Sequence, residues 1–301
     1  MHSKNQYVTL PLLAKKKITL AIKREDLIHP LISGNKYRKL KYNIAKAKKE
    51  GYGTLLTFGG AYSNHIVATA AAGKENGFKT VGVIRGEELE NNWHTNPTLK
   101  LAHEQGMLFR FVSRTAYRNK ESDYFISDLK NEFKNFYLIP EGGTNALAIK
   151  GCEEILSTAD SEFDMVCAST GTGGTLAGLI NSSYKHQQVM GFSALKGEFL
   201  KEQVNSFVDK NNWKLNTEYH IGGYGKITRE LVLFINDFKS KTGIPLDPVY
   251  TGKMVFGLLD MVKNDSFVPE TKILAVHTGG LQGVAGMNAT LKKKNLPLLH
   301  V

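Results

Sequence analysis

The chain has 301 residues, 42% of them hydrophobic and 22% charged, which is enough for a large buried core and argues against disorder. Its 39 basic and 28 acidic side chains leave a net charge of +11, scattered along helix faces (Lys46, Lys48 and Lys49; Lys292 to Lys294) rather than interleaved with aromatics. A solvated basic surface that attracts small anions fits this pattern better than nucleic-acid binding. No run reaches the ~18 apolar residues of a membrane span. The first ten residues lack the apolar core of a secretory signal, so a cytoplasmic protein with no membrane partner is expected.

Along the chain, short β-rich runs alternate with longer amphipathic stretches. The pattern predicts strands at 18–22, 54–58, 80–84, 108–112, 136–139, 165–168, 189–192 and 273–277. Helical patterns fall between several of them, among them 36–49, 64–75, 95–104, 146–156 and 174–181. This alternation predicts an α/β fold with parallel sheets covered by helices on both faces. Ligands in such folds bind beyond the carboxyl ends of the strands, where glycine-rich turns open into helices. Turns of that kind occur at Gly59-Gly60, Gly142-Gly143, Gly171 to Gly174, Gly222 to Gly225 and Gly279-Gly280. No repeat or long linker separates two domains. The two cysteines, Cys152 and Cys167, have neither disulfide-framework nor zinc spacing, and Cys167 sits in an apolar run that predicts a buried thiol.

Three segments carry chemistry. In Ser33-Gly34-Asn35-Lys36, a lysine at a helix start meets a positive local potential, which favours the free amine a Schiff base needs. Lys39, Lys41, Lys150 and Lys253 compete for that role. In Gly59-Gly60-Ala61-Tyr62-Ser63-Asn64-His65, Ser63 and Asn64 suit either a helix cap or the capture of a carboxylate. His65 suits packing or capping better than base catalysis. In the third, the run 164–169 reads as a strand, followed by Thr170-Gly171-Thr172-Gly173-Gly174-Thr175 and a helix. Amides at the helix start and three hydroxyls suit a phosphate, and a tight turn without ligand is the alternative. The segment lacks the lysine of a nucleotide-binding loop and fails the dinucleotide fingerprint, which argues against a nicotinamide oxidoreductase.

Together with Lys23-Arg24-Glu25-Asp26, Gly223-Tyr224-Gly225, the run 247–253 and His277-Thr278-Gly279-Gly280, these segments resemble the fold-type II pyridoxal-phosphate enzymes. Within them the resemblance is to the D-cysteine desulfhydrase and 1-aminocyclopropane-1-carboxylate deaminase group. It implies two open twisted parallel-sheet lobes, like the tryptophan synthase β chain, with pyridoxal phosphate in the cleft. A larger lobe would combine 1–38 with 151–301, and a smaller one would span 39–150. Lys36 would hold the cofactor aldehyde and move protons at the substrate α-carbon. Asn64 would meet the phenolic oxygen, Ser63 and nearby amides the substrate carboxylate, and Thr170, Gly171, Thr172, Gly173, Gly174 and Thr175 the phosphate. Tyr250 would lie against the pyridine ring or near the reacting centre with Tyr224 opposite, unless the two form only a buried aromatic pair. A homodimer is the usual state of the group.

Two positions bear on substrate. Deaminases of the group are expected to carry Glu after the motif tyrosine and Leu in the last turn, where this chain has Thr251 and Thr278. A threonine hydroxyl at the pyridine nitrogen need not force its protonation, and a weaker electron sink suffices to expel a thiolate. The implied reaction is β-elimination on a small D-amino acid, D-cysteine giving pyruvate, sulfide and ammonia. Ring opening of 1-aminocyclopropane-1-carboxylate, or amino-acid binding without catalysis, are the alternatives. Tyr62 stands where Gln is expected, the Gly222-Gly223-Tyr224 turn lacks an expected proline, and the chain is somewhat short for the group.

Overall fold

The computed structural model describes residues 2–197 and 199–301. In chain order its strands are β1 (Asn5–Tyr7), β2 (Thr19–Lys23), β3 (Thr54–Gly60), β4 (Lys79–Arg85), β5 (Met107–Val112), β6 (Tyr137–Ile139), β7 (Met165–Thr170), β8 (Gln188–Ser193), β9 (Trp213–Asn216) and β10 (Lys272–Val276). They form a six-stranded sheet, β1-β2-β10-β7-β8-β9, and a four-stranded sheet, β5-β4-β3-β6. Every pairing is parallel except the short edge pair β1–β2, which is antiparallel. All eight strands expected from the sequence are present, and β1 and β9 add an edge to each side of the larger sheet. The interiors of β3 and β4 are buried without alternation, as strands covered on both faces require.

The helices are α1 (Pro11–Lys16), α2 (Asn35–Lys49), α3 (Asn64–Glu75), α4 (Pro97–Glu104), α5 (Arg114–Arg118), α6 (Asp123–Phe133), α7 (Ala146–Glu153), α8 (Gly174–Ser182), α9 (Phe199–Asn205), α10 (Arg229–Thr242), α11 (Thr251–Lys263) and α12 (Val284–Lys293). Leu40 and Ala47 of α2 and Ala68, Ala71 and Ala72 of α3 pack with Leu55 and Ile139 of the smaller sheet. Leu176, Leu179 and Ile180 of α8 pack with Val166, Val189 and Val276 of the larger one. Helices α2, α7 and α8 stack closely between the two sheets. Gly151 of α7 meets the backbone of Arg38 so tightly that a Cβ would lie 2.0 Å from its carbonyl oxygen. Arg38 in turn grips the buried Glu25 through Nε and Nη2, both at 2.9 Å, which ties α2 to the segment after β2. Cys152 and Cys167 are both buried and free.

Helix starts divide into two kinds. Asn96, Ser113, Ser122, Asn145 and Thr228 cap α4, α5, α6, α7 and α10 through their side chains. Helices α2, α3 and α8 begin at Gly34, Ser63 and Gly173 with no side-chain cap. The Asn35 and Tyr37 amides of α2 and the Gly174 amide of α8 already donate to Thr278 O, Gly34 O and Thr172 O, and the remaining first-turn amides are those a ligand could meet.

Candidate active site

A cavity of about 700 Å³ opens where those three uncapped starts converge, at the carboxyl ends of strands from both sheets. Gly60 and Arg85 end β3 and β4 on one side; Ser169 and Thr170 end β7 on the other, with Thr278 just beyond β10. Of the residues singled out from the sequence, Lys36, Ser63, Asn64, Thr170, Gly171, Thr172, Gly173, Thr175, Tyr224, Tyr250 and Thr278 all line it. Gly174 and Thr251 do not.

Lys36 is the second residue of α2. Gly34 sets its position, with φ +63° and a site for a Cβ only 2.1 Å from the Thr278 carbonyl oxygen, so only glycine lets the helix start press against the turn after β10. The Lys36 ammonium donates to Asn35 Oδ1 at 2.9 Å, and Asn35 Nδ2 donates to Thr175 Oγ1 at 2.7 Å. Burial, and then the positive charge of Lys39, bring the Lys36 pKa down to about 7. Near neutral pH a large share of Lys36 is therefore free amine.

Lys39, only 2% exposed, donates to Gly142 O at 3.0 Å, Thr144 Oγ1 at 2.9 Å and Thr172 Oγ1 at 3.3 Å. Burial lowers its pKa too. The sequence offered Lys39 only as a rival to Lys36, yet it lines the same cavity and braces the glycine-rich loop. In that loop Gly173 takes φ +73° and Gly171 lies under the Tyr250 ring. Gly174 sits behind the loop in the first turn of α8, where a Cβ would run into Thr144.

Ser63 occupies the cap position of α3, but its side chain makes no capping bond, and the residue lines the cavity. His65 is buried, with Nε2 2.9 Å from the Thr57 hydroxyl. That hydroxyl already donates to Ile139 O at 2.8 Å, so His65 Nε2 must be the donor. Burial first, then Lys36 and Lys39, hold His65 well below its usual pKa and hence neutral. His65 also lines the cavity, and its buried Nδ1 has no partner among the described residues.

Asp247 organises the remaining wall. Its carboxylate accepts from the amides of Val249, Tyr250 and Thr251 at 3.0, 2.7 and 2.8 Å, fixing the start of α11. Tyr250 is thereby aimed into the cavity, 6.1 Å from Tyr224 in an edge arrangement. Burial raises both phenol pKa values, so both stay protonated. Thr251 does not reach the cavity: it is fully buried, and its hydroxyl has no partner among the described residues. At the floor, the Thr278 and Ser169 hydroxyls lie 3.3 Å apart. His277 accepts from the Gly279 amide at 3.1 Å and donates to Pro245 O at 2.8 Å, which locks the Thr278 turn.

The donor set fits pyridoxal phosphate. Hydroxyls and free amides on the loop before α8, with Lys39 beside them, suit a phosphate. Asn64 Oδ1 and Thr170 Oγ1 are buried with no partner among the described residues, a condition that costs about 1–3 kcal/mol per group unless a ligand relieves it. Arg85, Glu88, Arg114 and Glu141, which no sequence motif singled out, also line the cavity. Arg85 had a signal, since it ends a strand run just before a glycine, where site residues of such folds sit.

Comparison with known proteins adds relatives along most of the chain. The family model described as pyridoxal-phosphate dependent enzyme matches residues 2–279. A Pyrococcus furiosus protein, provisionally named 1-aminocyclopropane-1-carboxylate deaminase, is 33% identical over 287 residues, spanning 87% of this chain and 84% of its own. The mitochondrial bifunctional D-cysteine desulfhydrase/1-aminocyclopropane-1-carboxylate deaminase of Arabidopsis thaliana is 32% identical over 292 residues, spanning 88% of this chain and 73% of its own. A crystal structure described as an ACC deaminase homologue superposes with a TM-score of 0.82 at 28% identity, covering 97% of this chain and 94% of that one.

Proposed function

The chain belongs to the pyridoxal-phosphate-dependent enzymes, and from that membership we propose that it eliminates the β-substituent of a small D-amino acid, with D-cysteine the preferred substrate. One water is consumed, and pyruvate, sulfide and ammonia are released. The observation that carries this reading is the cavity floor: a lysine with its pKa near 7 stands with two uncharged hydroxyls, Ser169 and Thr278. A weak electron sink suits loss of a good leaving group, whereas ring opening of a cyclopropane asks for a stronger one.

Bound pyridoxal phosphate supplies the electron sink that makes the substrate α-proton acidic. Lys36 would hold the cofactor covalently and, once the substrate replaces it, take the Cα proton as a free amine. The loop from Thr170 to Thr175, with Lys39, would hold the phosphate, and Asn64 would meet the phenolic oxygen. Ser63 and the uncapped amides of α3 would bind the substrate carboxylate and so set which Cα bond faces Lys36. Tyr224 and Tyr250, protonated and close together, would cover the reacting carbon and donate to the departing group. Thr251 would act on the site only through the start of α11.

The test is an absorption spectrum of the holoenzyme and of Lys36→Ala, with and without D-cysteine. The wild type should show a visible band and form pyruvate and sulfide. Lys36→Ala should lose the band and at least about 10³-fold in rate. A band with turnover of 1-aminocyclopropane-1-carboxylate but not D-cysteine would replace the reading, and no band would remove it.

A further inference from the structure

Two guanidinium groups line the cavity, and they differ in what they meet. Arg114 is exposed and pairs with Glu88 at 2.7 Å. Glu141, the other acidic side chain of the wall among the described residues, is held by Lys120 at 3.2 Å. Arg85, at the end of β4 and in register with Gly60 of β3, makes no ion pair among the described residues. Its guanidinium lies over the Tyr117 ring, 5.6 Å from the centroid, and Nη2 sits against Gly60. Burial raises the Tyr117 and Tyr224 phenols, and the positive charge of Arg85 opposes that rise in both. Tyr224 follows β9 of the larger sheet, so the Arg85 charge reaches across the cavity. A guanidinium stacked on a ring keeps its in-plane N–H fork free for a planar or tetrahedral anion.

We infer that Arg85 is a specificity-determining residue that faces the substrate's β-substituent, so that the site favours amino acids whose β-substituent carries negative charge or, like the thiol of D-cysteine, acquires it on leaving. The inference rests on the proposed elimination and deepens it. The proposed reading gives the α-carboxylate to Ser63, whose side chain makes no capping bond, and to the start of α3, which leaves Arg85 for the other end of the molecule. In that reaction the Cα proton passes to Lys36 and the Cβ–X bond breaks with its electron pair on X. A cation beside X stabilises the charge as it develops.

Aspartate and asparagine test this, because they are nearly the same size, differ by one charge and have no β-leaving group. Affinities of both, as D and L forms, are measured by isothermal titration into holoenzyme for wild type, Arg85→Gln and Arg85→Lys. The wild type should favour aspartate about tenfold, in line with one charge-assisted hydrogen-bonded pair. Arg85→Gln should abolish the preference and Arg85→Lys retain part of it, each with the cofactor band intact. Equal weakening of both ligands in Arg85→Gln would assign Arg85 to the α-carboxylate and overturn the inference. So would unchanged affinities, which would leave Arg85 as a side chain stacked on Tyr117. D-cysteine turnover by the wild type decides the elimination reading separately, since these titrations need no turnover.

Discussion

Lys36 and Lys39 lie three residues apart on one face of α2, and their surroundings give them different chemistry. Lys39 has three oxygen acceptors around its amino group, although burial lowers its pKa as well. Lys36 has one acceptor, Asn35, and its neighbour's charge to contend with. Because its pKa is lowered, the reactive free amine dominates above about pH 7 rather than above 10. Capture of pyridoxal phosphate by apoprotein should therefore rise with pH to a midpoint near 7, read from stopped-flow absorbance. Lys39→Met removes the like charge and should move that midpoint upward; an unmoved midpoint would mean that burial alone sets it. At this scale the sequence told much about Lys36, because glycine, asparagine and lysine at a helix start is a chemical statement in itself. It told little about Thr251, whose direction depends on three amides gathered by Asp247. Nor did it reveal that Lys39 spans two loops more than a hundred residues away in the chain.

Elements were legible where they were long and periodic. The eight strands expected all form, and most of them are runs with buried interiors closed by turn residues, although β5 at the edge of the smaller sheet is largely part-exposed. The missed strands are edges: Asn5–Tyr7 has no β-branched residue and three positions only, and Trp213–Asn216 is half-exposed. Ser63 shows a further boundary on what sequence conveys. A serine before a helix suits a cap or a ligand equally, and only the hydroxyl's direction separates them. The start of α2 makes a stringent test at this scale. Gly34→Ala would place a methyl 2.1 Å from a carbonyl oxygen at a positive φ. It should lower stability by about 3 kcal/mol, the upper end for a strained position, and displace Lys36. Denaturant unfolding and the cofactor band together would show both effects. A variant with wild-type stability and band would mean that the turn after β10 yields readily.

The whole molecule carries +11, and its cavity is lined by Lys36, Lys39, Arg85 and Arg114 against Glu88 and Glu141. Such a field draws anions toward the opening and weakens as salt shortens its range from about 30 Å at 10 mM to about 8 Å at 150 mM. Association of pyridoxal phosphate with apoprotein should slow severalfold over that interval, while uncharged pyridoxal should not. Equal salt effects on both would locate the attraction elsewhere than in the field. A different consequence follows from the order of the larger sheet. Thr19 of β2 pairs with Lys272 of β10, so the middle of that sheet joins nearly the earliest strand to nearly the latest. On the ribosome, the four strands of the smaller sheet emerge together and can pair at once. Strand β2 can pair with β1 at once, but its other edge must wait for β10, which is synthesised about 250 residues later. Assembly of this protein thus ends at the seam between β2 and β10, beside which the catalytic cleft is completed.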